Sequence, residues 1–293
     1  MRGKQETIWA YVFLLPALIG FLAFTVGPVV GGFLMSLTEW DLVSPPKFVG
    51  FLNYRRLFTV TQPLYFVQAL KNTLWVAAST PIGIAASLFL AMLVNQKVRG
   101  VTWFRTIYYL PVVTAMAVVA MAWIWIYDPI FGPLNFLLNT IGLPGPEWLN
   151  STTWALPAIV LMGIWKGAGW GMVILLAGLQ GIPEVLYDAA KIDGANWWQQ
   201  FRRVTLPLLT PTLFFLMVMG VIGSFQTFEQ IYIMTKGGPG NTTATVVYFI
   251  YQNAFQWNKM GFASAGAYAL FLVILIFTLI QFKLQEKWVH YEL

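Results

Sequence analysis

Charged residues stand apart along this chain, and the stretches between them run long without any Asp, Glu, Lys or Arg. Such blocks cover 7–38, 72–96, 106–127, 205–228 and 261–282. At 1.5 Å of rise per residue each is long enough, as a helix, to cross the roughly 30 Å of bilayer hydrocarbon. A sixth block, 151–182, is equally apolar and rich in glycine but contains Lys166. The pattern predicts an all-α integral membrane protein of six transmembrane helices, read as a single membrane domain over 1–293. Arg2 and Lys4 ahead of an apolar run imitate a secretory leader, but the run is too long and no small-residue cleavage site closes it, so it reads as a retained first helix.

Composition sharpens this reading. Hydrophobic residues make up 58% of the 293 and charged residues 10%, with a mean hydropathy of +0.69, whereas soluble domains carry about 25% charge. The net charge of +6 does not point to nucleic acid, because the 17 basic residues are scattered and never clustered; a lipid bilayer with anionic headgroups is the expected surrounding. No cysteine and a lone His290 leave nothing to build a disulfide, a thiolate nucleophile or a metal cluster.

Basic residues are retained on the cytoplasmic side of a membrane, and they set the orientation. With both termini inside, the inner segments hold Arg2, Lys4, Lys97, Arg99, Arg105, Lys191, Arg202, Arg203, Lys283 and Lys287. The outer loops then hold Lys47, Arg55, Arg56, Lys71, Lys236 and Lys259, although they are longer in total, and 128–150 holds none. Trp40, Trp123, Trp125, Trp148, Trp257 and Trp288 fall near span ends, where indoles favour the headgroup level.

The longest inner segment joins spans four and five. Within it Val185, Leu186, Ala189 and Ile192 recur at helical steps, Asp193-Gly194 breaks the pattern, and Trp197, Trp198, Phe201 and Val204 form a second stripe before Leu206-Pro207. This predicts a helix, a turn and a helix outside the bilayer. Ala189, Ala190 and Gly194 present little side chain, so a partner could close against the backbone there.

Those residues carry a resemblance. Asp188, Ala189, Ala190, Gly194, Val204, Leu206 and Pro207 have the spacing of the "EAA" signature of ABC importer permeases, with Asp188 in place of the usual glutamate and Val204 in place of isoleucine. The stretches AYVFLLPALIGFLAF, KFVGFLNYRRLF, ALKNTL, RTIYYLPVV and TKGGPGNTT look like the sugar-importer branch, so the resemblance runs over nearly the whole chain. It implies the permease subunit of a binding-protein-dependent importer of the maltose, multiple-sugar and glycerol-phosphate type in the bacterial cytoplasmic membrane. By the same resemblance the loop 181–207 is the coupling element that enters an ATPase subunit, with Asp188, Ala189, Ala190, Asp193, Gly194 and Pro207 as its contact residues. The implied partners are a second permease, related but different, two copies of an ABC ATPase, an external sugar-binding protein and the sugar itself. No cofactor is expected on this chain, with ATP and Mg on the ATPase. No Gly-Lys-Ser or Gly-Lys-Thr occurs, so a Walker loop for ATP phosphates is missing from the sequence.

Two stretches are candidates for the substrate path. Lys166 stands inside a span, where an ammonium costs on the order of 2.5–3.5 kcal/mol unless it meets a cavity, a partner or the interface; it either lines the path or snorkels to the outer surface. Glycines surround it, and Trp165 and Trp170 offer flat faces suited to sugar rings. In the fifth span Ser224, Gln226, Thr227 and Glu229 form a polar stretch, which resemblance to maltose-type permeases puts along the path and which interhelical hydrogen bonding would also explain. A carrier driven by an ion gradient is the competing function. It would need buried carboxylates or histidines, and Glu229 is the only candidate in a span. A membrane enzyme is disfavoured by the want of paired carboxylates, a Ser/His/Asp set or metal-ligand spacing.

Overall fold

The computed structural model describes residues 2–59, 66–96 and 100–290. Lys97 and Arg99, two of the cations used to orient the chain, lie outside the described residues.

Most of the described chain is helical. Helix α1 (Arg2–Phe21) passes through one wider π turn, Leu22–Val26, into α2 (Gly27–Ser36), giving a first apolar span over Trp9–Ser36. A two-residue ladder follows, with β1 (Thr38–Glu39) antiparallel to β2 (Lys47–Phe48) and Glu39 opposite Lys47, and then α3 (Leu52–Thr59). The second span is α4 (Phe66–Ala78) with α5 (Thr80–Val94), joined at Ser79 ahead of Pro81. It begins six residues before the uncharged block at 72, because one lysine near a span end, Lys71, can lie along the helix with its ammonium directed to the headgroups.

The third block is not one straight span. Helices α6 (Val101–Val113) and α7 (Met116–Ile126) meet at 100°. Pro111 lacks a backbone N–H, and Thr114 and Ala115 leave helical geometry with ψ of 135° and 138°. The loop after α7 contains α8 (Pro133–Thr140) and is tied around buried Asn135, whose Nδ2 donates to the carbonyls of Pro129 and Pro146 and whose Oδ1 accepts from Trp148 Nε1 at 2.6 Å. Rings of Trp123, Tyr127, Trp148 and Trp154 follow one another at centroid separations of 5.1–5.5 Å, and the Tyr127 hydroxyl donates to the Ala158 carbonyl.

Helix α9 (Ala155–Gln180) is the fourth span. The next loop follows as α10 (Glu184–Ile192), α11 (Trp197–Gln200), a π turn over Phe201–Thr205 and α12 (Leu206–Leu208). The fifth span consists of α13 (Thr210–Phe225) and α14 (Glu229–Met234), broken at 226–228. After α15 (Val246–Tyr251) and a π turn over Gln252–Gln256, α16 (Met260–Gln285) is the sixth. Among the described residues five spans thus pass on length and apolarity, and the count reaches six if the bent pair α6–α7 crosses as one.

Contacts divide the chain into two compact units, one of residues 2–59 and 249–271 and one of 66–248 and 272–290. In the first, side chains of the Trp9–Ser36 span face outward almost without exception, Phe24 being 85% exposed, as a helix bathed in lipid would be. In the second, α5, α9 and α13 enclose a core of Ala91, Val94, Met172, Leu175, Leu179, Leu209 and Leu216. Glycine makes this close approach possible. A Cβ on Gly171 would lie 2.5 Å from Ser87 Oγ, and one on Gly220 2.6 Å from Thr80 Cγ2.

Candidate functional site

The loop between the fourth and fifth spans is anchored at both ends. Ile182 is buried, Pro183 takes the N-cap position of α10 with extended backbone, and the Tyr187 hydroxyl bonds Thr205 Oγ1 at 2.9 Å, tying α10 to the π turn. Asp193 then caps the helix and Gly194 takes φ of +78°. The Gly194 N–H donates to the Lys191 carbonyl and the Ala195 N–H to the Ala190 carbonyl, the paired closing bonds of a Schellman end. Asn196 starts α11 with a reciprocal capping box to Gln199. The expected helix, turn and helix is therefore present, with the second helix opening into a π turn where α11 was expected to continue.

Away from these anchors much of the loop is exposed. Asp188 and Ala189 are exposed and Ala190 half-buried, and Asp188 pairs with Lys191 at 3.0 Å. Asp193 and Gly194 are exposed, while Val204, Leu206 and Pro207 are half-buried at the return to the membrane. Ile192 is 87% exposed, and Val185, Trp197 and Trp198 also point outward. A Cβ on Gly194 would meet no atom within 4 Å.

A cavity of about 310 Å³ lies within the second unit, walled by the α4–α5 junction, α9 and α13. Trp170, Ser224 and Thr227, three of the candidate path residues, line it, with Gly163, Gly167 and Gly223 leaving backbone bare. Ser79, Thr80 and Ser87 of the second span complete the wall. Sequence reasoning did not single these out, although a Ser-Thr-Pro interruption with Gly83 just after it was visible in an apolar run. Thr80 Oγ1 and Ser224 Oγ are 3.1 Å apart, and the Thr227 carbonyl accepts from Thr245 Oγ1 at 2.7 Å.

Trp165, Lys166, Gln226 and Glu229 do not line this cavity. Gln226 and Glu229 are exposed at the break in the fifth span. Trp165 projects from the opposite side of α9 onto Trp123, ring centroids 5.4 Å apart. Lys166 Nζ donates to three carbonyls at the end of α6, those of Pro111 at 2.9 Å, Val112 at 3.3 Å and Thr114 at 2.9 Å. A helix end inside the apolar part of a chain leaves carbonyls without partners, and an ammonium there satisfies them and complements the helix dipole. Among the described residues no group of three His, Cys, Asp or Glu could hold a metal ion.

Residues 82–290, which contain the loop and most of the cavity wall, match the family described as binding-protein-dependent transport system inner membrane component. The chain belongs to that family. The permease is 37% identical over 294 residues to the probable ABC transporter permease protein YesP of Bacillus subtilis, covering 99% of this chain and 94% of that one. It is 33% identical to the trehalose/maltose transport system permease protein MalF of Thermococcus litoralis, covering 95% and 94%. Among solved structures it superposes with a TM-score of 0.83 and 28% identity, over 98% of each chain, on a bacterial ABC transporter involved in import of the acidic polysaccharide alginate. A second match, at 0.82 and 27% over 97% and 96% of the two chains, is that transporter in complex with its alginate pentasaccharide-bound periplasmic protein. As a transport component the permease hydrolyses no ATP; in such systems the ATPase is a separate subunit.

Proposed function

We propose that the permease, a single membrane domain over 1–293, carries a sugar or related carbohydrate inward across the bacterial cytoplasmic membrane by alternating access, with both termini cytoplasmic. Relatives named for trehalose and maltose or for arabinooligosaccharides, and the alginate importer, support the substrate class. The bound periplasmic protein of the alginate complex supports an external binding protein as donor. A second, related permease and two ATPase copies carrying ATP and Mg complete the proposed assembly.

The observation that carries the coupling reading is the free face of the inner loop. Asp188, Ala189, Ala190, Asp193 and Gly194 stand on a pre-formed, capped turn that its own chain leaves uncovered, and Pro207 leads it back to the fifth span. ATP binding and hydrolysis by a docked ATPase would bias two packings of the bundle through this point. The cavity beside Trp170, Ser224 and Thr227 is the proposed resting place of the substrate on this chain's side of the path. The test is uptake by the reconstituted assembly: transport that needs ATP and the binding protein supports the reading, and transport driven by a proton or sodium gradient without ATP overturns it.

A further inference from the structure

A second cavity, of about 560 Å³, lies within the first unit, between the segment 39–56 and the segment 253–262. The Trp40 carbonyl fastens these walls, accepting from the N–H groups of Met260 at 3.0 Å and Gly261 at 3.4 Å, and within the second wall the Asn253 carbonyl accepts from the Lys259 N–H at 2.7 Å. Asn53, 1% exposed, donates from Nδ2 to the carbonyls of Ser36 and Thr38, and a Cβ on Gly261 would overlap the Thr38 carbonyl. Preformed walls of this kind, with aromatic surface and a few placed polar groups, characterise small-molecule sites of roughly 300–1,000 Å³.

The lining has a definite chemistry. Half-buried Trp40, Trp257 and Phe262 supply ring surface against which the C–H face of a pyranose can pack. Both carboxylates are engaged. Glu39 pairs with Arg56 at 3.1 Å, and Asp41 accepts from the N–H groups of Val43 and Ser44 within its own turn. The Ser44 and Val43 N–H groups hold the Asp41 carboxyl below its ordinary range, so its charge belongs to the turn. Lys47 and Lys259 form no ion pair among the described residues, and Lys259 Nζ lies 5.9 Å from the centre of the Trp257 ring.

We propose that this cavity is a binding site for one or two units of an acidic saccharide, with Lys47 and Lys259 meeting the sugar carboxylates and the two indoles its rings. The orientation argued above puts it on the outer face, so the inference rests on the importer reading for its side of the membrane. It does not rest on that reading for its ligand. A site there would gather substrate next to the permease apart from the cavity in the second unit.

The experiment is a titration of the purified assembly in nanodiscs, without ATP or binding protein, followed by indole fluorescence. Digalacturonate and dimannuronate are each compared with the neutral disaccharide of the same series. At least one acidic probe is expected to bind saturably, at least about tenfold more tightly than its neutral counterpart, and to lose about tenfold or more in the Lys47→Gln/Lys259→Gln double variant. The Trp103→Ala variant, altered at an exposed indole outside both cavities, is expected to bind as the parent does. Absence of saturable binding by all four sugars, equal affinity for acidic and neutral partners, or unchanged affinity in the double variant would each overturn the proposal. So would loss of binding-protein docking in the double variant with no sugar bound, which assigns the cavity to that protein. Uptake is measured separately, so failure of ATP-driven transport with acidic-sugar binding intact refutes the importer reading and leaves this site standing.

Discussion

Lys166 shows what a single residue decides. Its ammonium satisfies three carbonyls where the third span turns by 100°, and removing it leaves acceptors unpaired in an apolar setting, at about 1–3 kcal/mol for an unsatisfied buried group. Lys166→Met is expected to lower the melting temperature of the purified permease, with Lys166→Arg recovering part of the loss because it keeps charge and donors. Equal melting of Lys166→Met and the parent would show that the bend holds without its cap. Gly194 is the opposite case, a residue whose value lies in what it lacks. The turn needs φ of +78°, which costs other L-residues roughly 1–2 kcal/mol, yet space around it is open. Gly194→Trp is therefore expected to insert at normal levels while losing sugar uptake and most copurifying ATPase, whereas Asp188→Glu stays active. Undiminished ATP-dependent uptake by Gly194→Trp would reduce the loop to a surface helix pair.

Helices depend on which features of the chain are local. Five of the spans and the helical turn between α10 and α11 could be read from the sequence because apolar runs and a Gly after Asp193 act within a few residues of where they stand. The bend in the third span escaped because Pro111 alone does not fix it; Lys166, 55 positions away, completes it. The candidate path residues divide in the same way. Trp170, Ser224 and Thr227 reach the cavity, but Trp165 sits on the other side of the same helix, and the polar stretch 224–229 is split by a break that sends Gln226 and Glu229 outward. The wall from the second span was hidden because three hydroxyls in an apolar run look like ordinary helix-to-backbone bonding, which Ser79 and Ser87 also perform. Two substitutions test these walls. Gly171→Leu should loosen the α5–α9 contact, lowering stability by about 1–3 kcal/mol through overpacking, with Ser87→Ala giving partial relief. Alanine at Trp170, Ser224 and Thr227 should change uptake affinity or sugar selectivity, and kinetics unchanged at all three positions would remove this cavity from the path.

At the scale of the whole molecule, the orientation is the property most open to a direct test. A reporter active only outside the membrane, fused after Leu293, should give no signal, and activity there would reverse the inside and outside assignments of every loop. The outward display of Ile192, Val185, Trp197 and Trp198 on the inner loop has a further consequence for the cell that makes this chain. A permease synthesised without its companion would show the cytoplasm a fixed greasy knob of the sort that chaperones and membrane proteases survey. Its lifetime should then follow the supply of the ATPase: pulse-chase decay several-fold faster when that subunit is withheld, restored by supplying it, and slowed without it when Ile192 and Trp197 are made polar. The surface proposed to take up the power stroke would in this way also keep the subunits in balance.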